Sequence, residues 1–308
     1  MIVAAGLSPA WQQILRFERL RQGEVNRALE AIWCGSGKVL NVGLALKHLG
    51  AEPMVIAPLG GPAYEPIEVE FAGLGVPRRW IRTRRATRVC TTLLDEASHT
   101  TTELVEPATM LEDDELTALR AEFVRAAKAA EAIVFSGSLP TGTPSTLVRD
   151  LLGQTSAPVV LDIRGPELLA ALEVRPFVVK PNRAELAVTL GRPLDDDEAL
   201  RDAMRELNDR GARWVVVSDG PRPVWMSGEA TVQRFDLPRV EKVVNPIGCG
   251  DCMAGGIATA IAEGATMSDA AKLGIAAAID NLATLQPARL DYQRVVQSAT
   301  QLHESPQQ

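Results

Sequence analysis

Short runs of apolar residues alternate with longer segments of helical periodicity along most of this chain of 308 residues. The apolar runs predict strands at Ile2–Leu7, Pro53–Pro58, Ala132–Ser136, Pro158–Asp162, Phe177–Lys180 and Trp214–Ser218. The periodic segments predict helices at Val39–Leu49, Ile67–Leu74, Glu112–Ala130, Asp251–Ala262 and Ser268–Leu285. Apolar strands that are separated by helices are typical of a parallel sheet with helices packed on both faces. The pattern therefore predicts an α/β fold.

Two segments depart from this alternation. Glu24–Trp33 and Arg88–Val105 have the pattern of strands with polar faces, and no helix is predicted within either of them. They predict a small second sheet that stands off the main body and is formed by two insertions. Because the chain has no internal repeat and no low-complexity linker, residues 1–308 are predicted to form a single domain, with the inserted strands at about 12–35 and 88–106.

The charge balance excludes some classes of partner. The formal net charge is −7, and no basic run with interleaved aromatic residues is present, so we expect no nucleic-acid binding. The apolar N-terminus is interrupted by Pro9 and lacks a basic flank, so we expect neither a signal peptide nor a membrane partner. Four cysteines are too few for a disulfide scaffold, and a cytoplasmic location is expected.

The segment Asn245–Gly256 combines glycines with an acidic residue at a predicted helix start. Gly248 and Gly250 permit a positive φ and a close backbone approach, and the N–H groups of a first helical turn attract an anion. Asp251 lies in the same turn, where it has the position of a base aimed at an attacking hydroxyl. A glycine-rich turn in which Asp251 only caps the helix has the same local pattern, and the segment alone leaves both interpretations open.

Other segments of the chain favour the catalytic interpretation. Gly248-Cys-Gly-Asp251 resembles the G-A-G-D signature of the ribokinase-like, phosphofructokinase-B family of carbohydrate kinases. Further stretches resemble family segments in the expected order, and these are Gly35–Val42, Thr102–Pro107, Ser136–Pro144 and Val179–Glu185. The resemblance spans nearly the whole chain and is nearest to the branch of 1-phosphofructokinase and tagatose-6-phosphate kinase.

This resemblance implies a ribokinase-like three-layer α/β/α sandwich with a mostly parallel central sheet and a small β-sheet lid. The implied activity is transfer of the γ-phosphoryl group of ATP to a hydroxyl of a ketohexose phosphate, with Mg²⁺ as the metal. The partner would be a small-molecule sugar phosphate, and a homodimer could form through the lid.

The resemblance also assigns roles to individual residues. Asp251 is the implied catalytic base, and the N–H groups of Gly248, Cys249 and Gly250 are the implied oxyanion hole. The residues implied to bind the nucleotide are Lys180, Asn182, Glu185, Ser218, Gly220 and Asn281, with Asn182 and Glu185 organising Mg²⁺ through water. The residues implied to bind the substrate are Gln12, Gly37, Lys38, Asn41, Arg88, Glu103 and Ser138. Within that set, Lys38 and Arg88 are expected to hold a substrate phosphate. The role of Asp162, at a predicted strand end, remains open.

Several positions depart from the family pattern. Gln12 stands where the family has an Asp, Val39 replaces a Gly, and Pro246 replaces a Thr or Ser. These departures leave open a kinase of another small sugar or nucleoside, or a catalytically impaired sensor of sugar phosphates.

Two other motifs are weaker. Gly35-Ser-Gly-Lys38 lacks the hydroxyl residue that follows the lysine of a P-loop. Cys249 and Cys252 form a C-x-x-C pair, whose oxidation could close the loop around Asp251, but a redox or metal function would explain nothing else in the chain.

Overall fold

The structure is a computed structural model, and it describes residues 1–228 and 231–307. The strands are β1 (Ile2–Ala5), β2 (Ala10–Phe17), β3 (Glu30–Ser36), β4 (Pro53–Gly60), β5 (Arg78–Thr83), β6 (Val89–Asp95), β7 (Thr100–Val105), β8 (Ala132–Ser136), β9 (Val159–Asp162), β10 (Val178–Val179), β11 (Trp214–Asp219), β12 (Arg222–Gly228), β13 (Thr231–Phe235) and β14 (Glu304–Gln307). The α-helices are α1 (Lys38–His48), α2 (Tyr64–Gly73), α3 (Asp113–Ala127), α4 (Leu147–Leu152), α5 (Pro166–Ala171), α6 (Arg183–Leu190), α7 (Asp197–Asp209), α8 (Cys249–Ala262), α9 (Met267–Asn281) and α10 (Tyr292–Thr300).

The large sheet has the strand order β14-β13-β12-β11-β10-β9-β8-β1-β4-β5. The pairs from β5 to β11 are parallel, and β12, β13 and β14 extend the sheet as antiparallel strands. Successive residues of β1 belong to different hydrophobic cores, because Ile2 and Ala4 pack on one face of the sheet while Val3 and Ala5 pack on the other. Helices cover both faces, and the prediction of a three-layer, mostly parallel α/β fold is confirmed.

The small sheet has the strand order β3-β2-β6-β7, in which only the central pair is parallel. The strand predicted at Glu24–Trp33 is wrong in its first half, since β3 begins at Glu30 and β2 supplies the neighbouring strand. The cause is a local turn. The side chain of Asn26 accepts a hydrogen bond from the N–H of Arg21 and donates one to its carbonyl oxygen, each over 2.8 Å, and so holds this stretch as a loop.

One helix boundary near the end of the chain also differs from the prediction. Helix α9 ends at Asn281 rather than at Leu285, because Thr284 donates to the Asn281 carbonyl oxygen through both its N–H and its hydroxyl.

No helix within residues 1–228 and 231–307 is long and apolar enough to cross a membrane.

The carboxyl ends of the parallel strands meet at one edge of the large sheet. Strand β9 ends at Asp162, β10 is followed by Lys180, and β11 ends beside Ser218. An isolated parallel bridge joins Asn182 to Ser218 at this edge. In open α/β sheets this edge is where ligands bind, and the small sheet lies next to it.

Candidate active site

The loop before α8 has a conformation that requires glycine. Gly248 has φ 88°, and a Cβ atom at this position would lie 2.9 Å from the Cβ of Pro287. At Gly250 a Cβ would come within 3.4 Å of the Lys180 amino group. The first N–H groups of a helix have no partner within the helix, so the start of α8 offers donors to an anion beside a lysine.

Asp251 lies in the first turn of α8 and is 6% exposed. Its Oδ2 accepts a hydrogen bond of 2.7 Å from Asn41 Nδ2, and Ser36 Oγ donates to the Asn41 Oδ1 over 3.1 Å. Burial raises the pKa of Asp251 to about 7, although the positive charge of Lys38 and the hydrogen bond from Asn41 oppose the shift. A carboxylate with a pKa near neutrality can accept a proton from a hydroxyl at physiological pH.

A cluster of paired charges lies beside Asp251. Lys38 Nζ is 3.1 Å from Asp162 Oδ1 and 3.1 Å from Glu185 Oε1. Burial by itself would lower the pKa of Lys38, but the two carboxylates outweigh it and the pKa is raised. Lys38 was expected to hold a substrate phosphate, and two of the three donors of its amino group face these carboxylates, which leaves one donor for a ligand.

Asp162, whose role the sequence left open, is the centre of this cluster. Its Oδ1 lies 3.3 Å from Lys180 Nζ in addition to the contact with Lys38, and its side chain is 1% exposed. Burial favours the neutral acid, but the adjacent ammonium groups outweigh it and lower the pKa of Asp162. Its Oδ2 is buried and has no hydrogen-bond partner among the described residues. The acid therefore belongs to the site and is not a cap.

Asn182 and Glu185, the residues expected near Mg²⁺, form a capping box at the start of α6. Asn182 Oδ1 accepts from the Glu185 N–H over 2.8 Å, and Glu185 Oε2 accepts from the Asn182 N–H over 2.9 Å. Glu185 Oε1 faces Lys38 instead. The described residues contain no cluster of three acidic, His or Cys side chains suited to hold a metal directly. This donor set fits an ion that keeps its water ligands and is bound through them.

A polar cavity of about 390 Å³ contains most of the predicted substrate and metal residues. It is lined by the small sheet, the start of α1, the capping box and the loop before α8, through residues that include Gln12, Gly37, Lys38, Asn41, Arg88, Glu103, Lys180, Asn182, Glu185 and Asp251. Arg88 donates to the carbonyl oxygens of Ser8, Pro9 and Glu106 over 3.1 to 3.4 Å. These contacts fix its guanidinium at the cavity wall.

An apolar cavity of about 640 Å³ lies on the other side of the same loop. Both cavities are lined by Ser218, Gly220, Pro246, Cys249 and Gly250. The walls that only the larger cavity has are mostly aliphatic and include Val224, Leu237, Val240, Val243, Met253, Ile275, Ala278, Ile279 and Leu282. The sequence analysis did not anticipate these residues, because each is an ordinary apolar position in its own segment.

Two predicted site residues lie outside both cavities. Ser138 is exposed and contacts Ser8 through its backbone carbonyl oxygen and its hydroxyl, and its role in substrate binding stays a prediction. Asn281 is fully buried. Its Nδ2 donates to the Ile247 carbonyl oxygen over 2.9 Å and its Oδ1 accepts from the Ala288 N–H over 2.7 Å. It supports the loop before α8 from behind, and its expected role in nucleotide binding stays a prediction.

Val39 and Pro246 are two of the positions at which the sequence departs from the family pattern, and the structure places them differently. Val39 is 1% exposed and points into the hydrophobic core, where its Cβ would lie 2.9 Å from a Cβ added to Gly6. Its side chain therefore does not block the polar cavity. Pro246, by contrast, lines both cavities.

The two cysteines of the loop lack the acidity of redox pairs. Burial raises the pKa of Cys249 to about 11 and also raises that of Cys252. Both sulfur atoms contact the amide of Asn281, at 3.3 and 3.5 Å. Redox cysteines at helix starts have lowered pKa values, so this environment does not favour a thiol-based function.

Comparison with known proteins agrees with this geometry. Residues 13–282 match the profile of the pfkB family carbohydrate kinases. The chain is similar to phosphofructokinase-2 from Escherichia coli in complex with fructose-6-phosphate, with 27% identity, a TM-score of 0.86 and coverage of 98% of this chain and 99% of that chain. A possible 1-phosphofructokinase from Thermotoga maritima is 20% identical over 100% of both chains, with a TM-score of 0.90. Arabidopsis thaliana ribokinase complexed with ribose and ATP is 19% identical, with a TM-score of 0.74 over 97% of this chain and 98% of that chain.

Proposed function

Because the chain belongs to the pfkB family of carbohydrate kinases, we propose that it transfers the γ-phosphoryl group of ATP to a hydroxyl of a ketohexose phosphate. It is a phosphotransferase with an alcohol group as acceptor, and its relatives include phosphofructokinases. The observation that carries the proposal is the position of Asp251 in the loop between an apolar and a polar cavity. The proposed branch is that of 1-phosphofructokinase or tagatose-6-phosphate kinase.

The apolar cavity has the size and lining expected for the adenine and ribose of a nucleotide. Sites for drug-sized and cofactor-sized ligands occupy roughly 300–1,000 Å³ and are lined mainly by apolar side chains. The phosphates would extend toward Gly250 and Lys180, where α8 begins. The transferring group would then lie at the junction of the two cavities.

Asp251 is the proposed base. The acceptor hydroxyl, bound in the polar cavity, gives its proton to Asp251 as its oxygen attacks the γ-phosphorus. The bond from that phosphorus to the β,γ-bridging oxygen breaks in the same step, and ADP leaves with the electron pair. The first-turn N–H groups of α8 donate to the oxygens that become more negative in the transition state. Asn41 holds the carboxylate in place through its 2.7 Å hydrogen bond.

Mg²⁺ would be held through water by Asn182 and Glu185, and it would neutralise part of the phosphate charge. Glu185 Oε1 contacts only the amino group of Lys38, and Asp162 Oδ2 is buried without a hydrogen-bond partner among the described residues. These two oxygens could face the ion or its water ligands.

Two cations at the polar cavity support a phosphorylated acceptor. Lys38 and Arg88 both line it, from α1 and from the strand β6 side respectively. An acidic protein with a net charge of −7 needs such local cations to bind a dianion. The similar phosphofructokinase-2 binds fructose-6-phosphate, which agrees with a phosphorylated ketose in this role.

The direct test is ADP release in the presence of Mg²⁺ and ATP with a panel of acceptors. The panel contains fructose 1-phosphate, fructose 6-phosphate, tagatose 6-phosphate, the free hexoses, pentoses and nucleosides. We expect turnover on a ketohexose phosphate and little on unphosphorylated sugars. Turnover only on a free sugar or nucleoside would contradict the proposed substrate class. Binding of a sugar phosphate without any turnover would instead favour a sensor on this fold.

We also propose that two copies pair through the small sheet. Both of its edge strands carry exposed apolar side chains, since Leu104 and Val105 on β7 are each 56% exposed and Trp33 on β3 is 43% exposed. Phosphofructokinase-2 of E. coli is itself known as a tetramer in an inhibited form. Sedimentation velocity over a range of concentrations tests the pairing, and a monomer at all concentrations would contradict it.

A further inference from the structure

Three side chains of the small sheet are linked by hydrogen bonds beside the polar cavity, with a buried threonine in the middle. Gln12 Nε2 donates to Thr92 Oγ1 over 2.7 Å, and Thr92 Oγ1 lies 3.3 Å from Glu103 Oε1. Gln12 is 2% exposed and Thr92 is fully buried. Gln12 and Glu103 line the polar cavity, whereas Thr92 lies behind them.

The chemistry of the three groups fixes the direction of the hydrogen bonds. A carboxylate can only accept, so the hydroxyl of Thr92 donates its single proton to Glu103. Thr92 must then accept from Gln12, and only the amide nitrogen of Gln12 can donate. The nitrogen is therefore turned toward Thr92, and the carbonyl oxygen Oε1 is the polar atom that Gln12 has left for the cavity.

We propose that Thr92 is a positioning residue for substrate recognition, which fixes the Gln12 amide so that its oxygen accepts a hydrogen bond from a sugar hydroxyl. The proposal rests on the proposed function and sharpens it, since it specifies a donor hydroxyl at this point of the substrate. Gln12 thereby acts as a neutral acceptor of fixed orientation, and Glu103 sets that orientation through a residue that does not touch the substrate.

The test uses a matched pair of substitutions on one strand. Thr92→Val removes the buried hydroxyl, while Thr91→Val makes the same change at the adjacent position of β6, which faces the other side of the small sheet. Thr92→Ser keeps the hydroxyl. The probe is the ketohexose phosphate that the wild type turns over fastest, and KM for the sugar phosphate, KM for ATP and kcat are measured for each variant.

We expect Thr92→Val to raise KM for the sugar phosphate about 3- to 10-fold, the effect of losing one hydrogen bond, with kcat and KM for ATP nearly unchanged. Thr91→Val and Thr92→Ser should keep the wild-type KM. Equal KM values for Thr92→Val and Thr91→Val would overturn the proposal, and so would a Thr92→Ser variant as impaired as Thr92→Val.

A double-mutant cycle with Glu103→Met gives a second test at an exposed position, where folding is not at stake. Because Met removes the acceptor of the Thr92 proton, Glu103→Met raises KM in the wild type and adds little to Thr92→Val if Glu103 acts through Thr92. Full additivity would overturn the link between Glu103 and the orientation of Gln12. If the wild type turns over no sugar phosphate, the proposed function fails, and calorimetric titration of fructose 6-phosphate and tagatose 6-phosphate into the same variants still decides whether Thr92 contributes to binding.

Discussion

The two cavities that meet at the Gly248–Asp251 loop are lined by side chains of opposite polarity. The larger, of about 640 Å³, has walls that are mainly aliphatic and come from β12, the 237–246 segment, α8 and α9. The smaller, of about 390 Å³, is lined by charged and amide side chains from the small sheet, α1 and α6. Among the residues that the structure describes, the two cavities share Pro246, Cys249 and Gly250 at the start of α8, together with Ser218 in β11 and Gly220 just after it.

The difference shows how one loop can serve two ligands. In the apolar cavity, binding depends on shape and on the apolar area removed from water, which is insensitive to the placement of any single side chain. In the polar cavity, each charge already has a partner, because an unpaired buried charge is costly. Lys38 is held by Asp162 and Glu185, which use two of the three donors of its amino group.

The strongest test of this difference between the two cavities is to replace Asp251, the proposed base near their junction. Asp251→Asn keeps the shape and can keep the hydrogen bond from Asn41, but an amide cannot accept the proton of the acceptor hydroxyl. We expect kcat to fall about 10²- to 10⁴-fold, the range for a general base. ATP affinity, measured by calorimetry, should be nearly unchanged because the apolar cavity is untouched.

The matched control for this variant is Asp269→Asn. Asp269 occupies the first turn of α9, as Asp251 does in α8, but it is exposed and remote from both cavities. It should keep wild-type turnover. A kcat for Asp251→Asn within a factor of ten of the wild type would contradict the assignment of the base.

A smaller effect, confined to the polar cavity, is expected from Lys38→Met. The variant loses the cation proposed to bind a substrate phosphate, and the carboxylates of Asp162 and Glu185 are left facing each other. We expect kcat/KM for the sugar phosphate to fall about 10- to 100-fold, in keeping with the loss of charged hydrogen bonds. Lys47→Met, at an exposed position of the same helix, is the control. If Lys38→Met lost as much affinity for ATP as it loses in kcat/KM for the sugar phosphate, the proposal that the two cavities bind different ligands would be contradicted.

The apolar cavity is tested by filling it. Ala278 lines this cavity from α9 and is 8% exposed, so Ala278→Phe places a ring in the space proposed for the nucleotide. We expect KM for ATP to rise about tenfold, within the usual cost of overpacking, with little change in binding of the sugar phosphate. Ala283→Phe, at an exposed position just beyond α9, should have no such effect. An unchanged KM for ATP in Ala278→Phe would place the nucleotide elsewhere.

The sequence predicted those strands that are buried on both faces, and it did less well where a strand borders a cavity. Strands β1, β8 and β9 are continuous apolar runs and were predicted from that pattern. Strand β2 lies largely within the predicted insertion at about 12–35, but it was not identified as a strand of its own because Gln12 and Gln13 interrupt its apolar pattern. Gln12 is buried against Thr92 and the polar cavity, a tertiary environment that local periodicity does not report.

For the site, the sequence was informative where the motif residues are neighbours in the chain and less so where contacts are distant. The loop at Gly248–Asp251 was singled out from its own pattern, and Asn182 and Glu185 from the resemblance of the contiguous segment Val179–Glu185 to a family segment. The ion pair between Lys38 and Asp162 joins residues 124 positions apart, so no local pattern predicts it. The apolar cavity is assembled from several segments, and its lining residues became recognisable only once the fold brought them together.

The smallest predicted effect concerns the protonation of Asp251. It distinguishes two roles of Asn41, which are lowering the pKa of the carboxylate and holding the carboxylate in place. The hydrogen bond from Asn41 stabilises the ionised carboxylate and lowers its pKa, in opposition to the larger effect of burial. In Asn41→Leu the hydrogen bond that lowers the pKa is lost, so the pKa of Asp251 rises above its value of about 7. The acidic limb of the pH profile of kcat/KM, where activity increases with pH, therefore moves to higher pH. Activity at pH 7 should fall by about two- to fivefold from this cause, the scale of one hydrogen bond, and should recover toward pH 9. A loss that is equal at all pH values would mean that Asn41 acts only by holding the carboxylate or the substrate in place, and the raised pKa of the base would then have no part in setting the rate.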